Sequence, residues 1–266
     1  MIFNNPFSLL SETIPTLVMQ SFLILMLALV VIGTLVDIIH KKNVKYFFEN
    51  AKNAKKSATR ELGTGERVSV IAKTVVYDIG TTSELGAGKR RIAHLLGMYG
   101  TILFWIASAV MVFCYSSSTS ITPSAWPLMW HVGAIMTVLG GCWFWFFLRV
   151  DVYSEAQPWY RIIKADLFVL ALIATSLFGL IWSYLQSLNL YERWDDKVFL
   201  VLYVISNLVL FGGVYWSKFA HMFYKPGAAI QKNLAEADGS RDNLPPEADA
   251  PEKFGLGIKR EAPKHY

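Results

Sequence analysis

The chain has 266 residues, 54% of them hydrophobic and 14% aromatic, and only 17% are charged. Apolar residues in that proportion, gathered in blocks long enough to cross a bilayer, exclude an ordinary soluble domain. The formal net charge of +5 comes from basic residues that flank those blocks and form no reading motif, so it gives no reason to expect nucleic acid as a partner.

In chain order, the first fifteen residues hold no Lys or Arg and lead into an apolar run, Thr16–Ile39. A cleavable leader starts basic and has a shorter core, so an uncleaved first helix is expected. The segment Asn43–Arg91 is too long for a tight connector. Its first part, NVKYFFENAKNAKK, sets aromatics and lysines at helical spacing and predicts a helix lying on the membrane surface, with lipid as its partner. ERVSVIAKTVVYDIG reads as a second surface helix or a short amphipathic segment. GAGKRR (Gly86–Arg91) lacks the GxxxxGK[ST] spacing and follows no strand, so no nucleotide site is expected there.

Four more apolar runs follow: Leu95–Tyr115, Leu128–Leu148, Leu167–Leu188 and Val198–Phe223. The polar loop YSSSTSITPSAW, with turn-forming Ser, Thr and Pro, separates the first two. Backbone groups in lipid must pair within their own segment, so the runs are read as helices. Beyond Pro226 the stretch EADGSRDNLPPEADAPEK is acidic and poor in apolar residues, and disorder is expected of it when alone. The predicted fold is an all-α polytopic membrane protein with five transmembrane helices. Residues 1–232 are read as the membrane domain, with a cytoplasmic loop at 41–93, and 233–266 as a flexible cytoplasmic tail.

Orientation is read from the basic residues. Of 25 Lys and Arg, 12 lie between Lys41 and Arg91, 3 between Arg149 and Lys164, and 8 from Lys218 onward, leaving only Arg193 and Lys197 for the other side. The positive-inside rule then predicts a periplasmic N-terminus and a cytoplasmic C-terminus. The two cysteines, Cys114 and Cys142, fall in separate helices and no CxxC occurs. An iron–sulfur or zinc site within this chain is therefore not expected, and any cluster belongs to a partner.

Five histidines are present: His40, His94, His131, His221 and His265. His94 opens the second predicted helix and His221 closes the fifth, which puts both near the cytoplasmic face. Two neutral imidazoles on facing helices can ligate a haem iron axially. At 100° per residue, Gly97 and Thr101 share a face with His94, and Gly213 and Ser217 share one with His221. Small residues admit a flat macrocycle, and equally a close helix–helix contact. Histidines at helix ends also commonly meet lipid headgroups, so the residues alone leave both readings open.

RRIAHLLGMYGTILFWIAS (Arg90–Ser108) resembles the second helix of the nitrate reductase gamma-subunit and heterodisulfide reductase membrane-subunit superfamily, in which an aromatic–glycine step, here Tyr99–Gly100, follows a ligand histidine. SKFAHMFYKPGAAIQK (Ser217–Lys232) is similar to its fifth-helix ending, and KADLFVLALIATSLFGLIW (Lys164–Trp182) to its fourth helix. The resemblance covers Thr16–Lys232. It implies a membrane cytochrome b with His94 and His221 as axial ligands of haem b, and with the basic–proline step Lys225–Pro226 ending the fifth helix. Lys218 and Lys225 then become candidate contacts of the haem propionates, although both are equally expected as boundary lysines.

It further implies quinone or quinol as one partner and a cytoplasmic iron–sulfur or flavin oxidoreductase as the other, in a bacterial or archaeal cytoplasmic membrane. The chain departs from the family in two ways. Many relatives hold a second haem nearer the outer face, where this chain offers only His131, with Met129 a conceivable second ligand; one haem is expected and a second is left open. Several relatives carry cysteine-bound clusters, and this chain has none. A short, cluster-free subunit best fits the adenylylsulfate-reductase-associated electron-transfer proteins of sulfur oxidisers. Asp37, His40 and Asp166 are candidates for protonating a quinone, each of which reads more simply as a charge marking a helix end. The chain is thus expected to be an electron carrier within an oxidoreductase complex rather than a stand-alone enzyme. The alternative is a non-redox anchor or docking subunit. A transporter is disfavoured by the lack of repeats.

Overall fold

A computed structural model describes residues 2–85, 88–150, 158–188, 193–217, 219 and 221–240. Among them the secondary structure is helical and no strand occurs. The helices are α1 (Pro6–Leu10), α2 (Thr16–Lys41), α3 (Asn43–Lys56), α4 (Thr64–Lys73), α5 (Lys89–Cys114), α6 (Ala125–Trp143), α7 (Leu167–Ser187), α8 (Trp194–Gly212) and α9 (His221–Ala237). The π-helical segments Thr74–Gly80 and Phe144–Leu148 extend α4 and α6.

Among the described residues four helical stretches are long and apolar enough to cross a membrane: Thr16–His40, Lys89–Cys114, Ala125–Leu148 and Lys164–Ser187. The fifth expected span falls short for a physical reason. α8 has 19 residues, and Asp195, Asp196 and Lys197 stand at its start. The apolar part from Val198 to Gly212 rises about 22 Å at about 1.5 Å per residue, against an apolar thickness of about 30 Å.

Within the bundle α5 packs on α6, α6 on α7, α7 on α8, and α8 on α2, which also touches α5. The α5–α6 seam is backbone against backbone. A Cβ added at Gly140 would lie 2.6 Å from the Ala93 carbonyl oxygen and from the Gly97 nitrogen, and one at Gly133 would lie 2.6 Å from the Phe104 nitrogen. Small residues here let dispersion contacts between main chains replace side-chain packing, a common way for helices to associate in lipid. Toward the end away from the lysine-rich loops, a core forms around Phe104, Trp130, Trp182 and Tyr203. α1 inserts Phe7 into it, edge-on to Trp130 and Trp182. Asn5 holds α1 in place by donating to the Tyr115 carbonyl at 2.8 Å and capping Phe7 N–H at 3.0 Å.

At the basic end the chain departs from expectation. The predicted fifth span, Val198–Phe223, stops at Gly212. A Cβ at Gly213 would sit 2.7 Å from the Val209 carbonyl oxygen, so a larger residue there would force the turn to shift. Val214 then packs into a notch at Gly33 of α2, where a Cβ would meet Val214 Cβ at 2.8 Å. Phe219 is buried with its ring stacked on Trp105 and edge-on to Phe168. Tight packing of these two residues outweighs continuation of the helix.

His221 therefore does not close the fifth helix; it opens α9. Gly213 and Ser217 belong to the turn rather than to one face of a helix with His221. Pro226 lies inside α9, so the basic–proline step does not end a helix. Proline at that position forfeits one main-chain hydrogen bond, and the tertiary contacts of α9 offset it.

α9 also crosses the expected boundary between residues 232 and 233. Asn233 donates to the Thr74 hydroxyl at 2.8 Å and to the Asp78 carboxylate at 2.6 Å. Beyond its C-terminal end, the Asp238 carbonyl accepts from the Thr59 and Arg60 N–H groups at 3.0 and 3.3 Å, and the Arg60 guanidinium donates to the Ala237 carbonyl at 2.7 Å. Residues 233–240 thus form a packed cap with α3, α4 and Thr74–Gly80 rather than a flexible tail. Residues 241–266 lie outside the described part.

Candidate functional site

The basic end brings together the first turn of α5, the last turns of α2 and the first turn of α9. His94, on the first turns of α5, is exposed. Lys225 and Arg90 lie within electrostatic reach of it. Lys225 is one helical turn beyond His221, so the first turns of α9 come within electrostatic reach of the start of α5. The side chain of His221 lies outside the described residues, and so does Lys218 altogether.

α9 is tied to α2 by the Tyr224 hydroxyl, which donates to the Asp37 carboxylate at 3.0 Å. Burial first, and then the neighbouring carboxylate, push the Tyr224 hydroxyl up to about 12, so it stays a donor at neutral pH. Asp37 is 1% exposed and serves here as an acceptor within a helix–helix contact. The His40 ring lies edge-on to Tyr215 at 5.8 Å. These two candidates thus meet α9 or the turn before it. Asp166 does not join them.

Asp166 sits between α6 and α7, where its carboxylate accepts from the Arg149 guanidinium at 2.5 Å and from the Ile163 N–H at 2.9 Å. Arg149 is 0% exposed, donates to the Pro158 and Arg161 carbonyls at 2.8 and 2.6 Å, and lies 4.2 Å over the Trp145 ring. A carboxylate so engaged is a structural clamp between Arg149 and the start of α7.

His131 is fully buried in α6. One ring nitrogen, Nδ1, lies 2.7 Å from the Pro127 carbonyl and the other, Nε2, 2.8 Å from the Ser183 hydroxyl. Because a carbonyl only accepts, Nδ1 carries the proton and Nε2 accepts from Ser183. Both nitrogens are committed, so His131 is a polar strut of the bundle and not a free ligand. Met129 packs against the same core.

A haem b needs an open plane beside each axial imidazole. On the Gly97–Thr101 face of α5 the two residues differ. A Cβ at Gly140 would meet the Gly97 nitrogen at 2.6 Å, whereas one at Gly97 itself would meet nothing within 4 Å. The Thr101 and Thr137 hydroxyls face each other at 3.4 Å, so Thr101 serves helix contact. The space a haem plane would need is open beside Gly97 and exposed His94. Among the described residues no group of three or more His, Cys, Asp or Glu is placed to hold a metal ion, and both cysteines are free thiols.

The sequence reading passed over a second set of polar groups. Ser108, Tyr203, Asn207, Trp105 and Trp182 line a cavity between α2, α5 and α8, away from the basic end. The signal available was an Asn and a Ser inside otherwise apolar helices, which need partners in lipid. No family model matches the chain, and neither a curated protein nor a solved structure does.

Proposed function

We propose that the chain is a haem b electron-transfer subunit of a bacterial or archaeal cytoplasmic membrane, linking the quinone pool to a cytoplasmic redox enzyme of sulfur metabolism such as adenylylsulfate reductase. α8 serves as a short fifth crossing in this reading, with the N-terminus periplasmic and the basic end cytoplasmic. The observation that supports it is the placement of the α9 start, which begins at His221, beside exposed His94 on α5. A bound haem b supplies one-electron transfer. His94 and His221 would hold its iron, and Lys225, within electrostatic reach of His94, would meet a propionate. The membrane-embedded seam below them supplies rigidity rather than a cofactor slot.

The second reading is a non-redox anchor whose histidines are structural. It is favoured by the closed α5–α6 seam, which uses the small residues near His94 for packing. One experiment separates the two. The full-length chain, purified from membranes, should show a reduced-minus-oxidised cytochrome b spectrum that His94→Ala and His221→Ala each abolish while the protein still inserts. A colourless wild-type protein, or a normal spectrum in either variant, overturns the haem assignment.

A further inference from the structure

The helix made of α4 and its π-helical extension, Thr64–Gly80, has two unlike sides. One side holds α9: buried Thr74 and the Asp78 carboxylate both accept from the Asn233 amide. Elsewhere on its surface Val68, Ile71, Val75, Val76 and Tyr77 are 37% to 61% exposed. So many apolar side chains exposed in one short stretch mark a surface that meets something other than water.

The far end of this helix decides what that is. The Tyr99 hydroxyl donates to the Gly80 carbonyl at 2.6 Å, and the Arg91 guanidinium to the Thr81 carbonyl at 2.7 Å. Gly80 is therefore held against the flank of α5. Ile92, Tyr99, Ile102 and Ile106 of α5 are 42% to 51% exposed, and at about 100° per residue they lie within about 80° of one another. An exposed apolar stripe on a helix long enough to cross the membrane faces lipid. Tyr99 belongs to that stripe, so the segment it holds lies on the lipid side of α5.

The depth agrees. Tyr99 stands seven residues (99 minus 92) beyond Ile92, the first apolar residue of α5, which is about 10 Å along the axis. A long side chain on a helix leans back toward the N-terminus, which brings the hydroxyl and Gly80 closer to the headgroup boundary. Amphipathic helices rest about 5–10 Å into that boundary, and tyrosine is enriched there. Arg67 and Lys73, both exposed, are long enough to carry their charges from this helix to the headgroups.

We propose that Thr64–Gly80 is a wedge in the membrane interface, its apolar side sunk among phospholipid acyl chains at the basic end and its other side holding α9. A soluble protein does not reach this surface, because the Gly80 end lies where α5 meets lipid. Unlike a helix resting flat on the bilayer, the wedge is hydrogen-bonded to the flank of a crossing helix, and its place does not depend on a haem. Lipid is then part of what fixes α9, including its start at His221.

The test uses the full-length chain with Cys114→Ser and Cys142→Ser, which remove its two free thiols. One new cysteine carries an environment-sensitive fluorophore, and the protein is reconstituted alone into phosphatidylcholine vesicles. Val68→Cys and Val76→Cys report on the apolar side, and Glu236→Cys, exposed on α9, reports on water. Brominated acyl chains should quench the first two labels about threefold more than the third, and aqueous iodide should do the reverse. Iodide that reaches all three labels equally would overturn the wedge and leave the surface to a second protein. Unfolding midpoints identify any variant that does not fold, and if Val76→Cys fails in that way Val68→Cys decides. The hold on α9 is read by protease in the same vesicles. Val76→Glu, which puts a charge among acyl chains, should speed cleavage within α9 several-fold, whereas Val76→Leu should leave it as in the parent. Equal cleavage of Val76→Glu and the parent would show that lipid does not hold α9.

Discussion

The side-chain amide of Asn233 donates to the carboxylate of Asp78 at 2.6 Å, joining α9 to the segment after α4 across 155 positions of the chain. With the second bond to Thr74, this contact decides that α9 belongs to the folded cap. Asn233→Ala should weaken the cap by about 1 kcal/mol, the usual net value of such hydrogen bonds, and expose the α9 region to protease. Limited proteolysis of the solubilised protein measures it, and unchanged cleavage would show that the bond contributes nothing.

The same contact sets a pH dependence. Hydrogen bonds to Asp78, from Ser83 first and then Asn233, hold its carboxyl below the usual carboxylate value, with Lys232 and Lys73 adding to the effect. A group depressed in the folded state stabilises above its unfolded value and loses that contribution as pH falls through its folded value. Attachment of α9 should therefore loosen below about pH 4. Asp78→Asn should flatten this part of the acid profile, and an identical profile in the variant would remove Asp78 as the cause.

Gly140, like Gly133, permits a close approach of α5 and α6. Its added Cβ would meet main-chain atoms at 2.6 Å, and main chain cannot rotate out of the way. Gly140→Ala should force the helices apart and cost about 1–3 kcal/mol, read as a lower unfolding midpoint in detergent. Gly63→Ala, where nothing lies within 4 Å, is the matched control and should have no such effect.

The helical class and the four longer spans were legible because each is a long apolar run, and a chain in lipid has no alternative to the helix there. α3 was legible from the spacing of its aromatics and lysines. The break at Gly213 was not. In the sequence the apolar run continues to Phe223, and the fit of Val214 against Gly33 is a contact between residues 181 positions apart (214 minus 33), which no local pattern encodes. The helical state of residues 226–237 was hidden similarly: Pro226 signals an end, and the bonds that override it come from Thr74, Asp78 and Arg60 elsewhere in the chain. The roles of Gly97 and Thr101 were not legible, because helix contact and cofactor contact select the same small residues: Thr101 meets Thr137 across the seam, whereas a Cβ at Gly97 would meet nothing within 4 Å.

Arg149 and Asp166 form a buried pair, 0% and 5% exposed at the side chain. Removing one partner leaves an uncompensated charge, so Arg149→Met or Asp166→Leu alone should cost about 3–5 kcal/mol. The double replacement should cost clearly less than the sum, because no charge is then stranded. Unfolding midpoints across this double-mutant cycle test it, and strict additivity would show that the two groups do not act as a pair.

Two truncations separate the cap from the tail. Ending the chain after Lys232 removes Asn233, Ala237 and Asp238, whose side chain or carbonyls anchor α9 to Thr74, Asp78, Thr59 and Arg60. That truncation should loosen the whole of α9, including its start at His221, and lower any haem content with it. Ending after Ser240 keeps every one of those anchors and removes only 241–266, in which FGLGIKREAPKHY regains apolar and basic residues after an acidic linker. Apolar and basic residues at that place suit contact with a partner surface. The Ser240 truncation should therefore keep the fold, the protease pattern and the spectrum of the full chain while several-fold less of a soluble redox partner co-purifies with it. Equal recovery of the partner with the full chain and the Ser240 truncation would place docking on the cap itself, on the surfaces of α3 and α4.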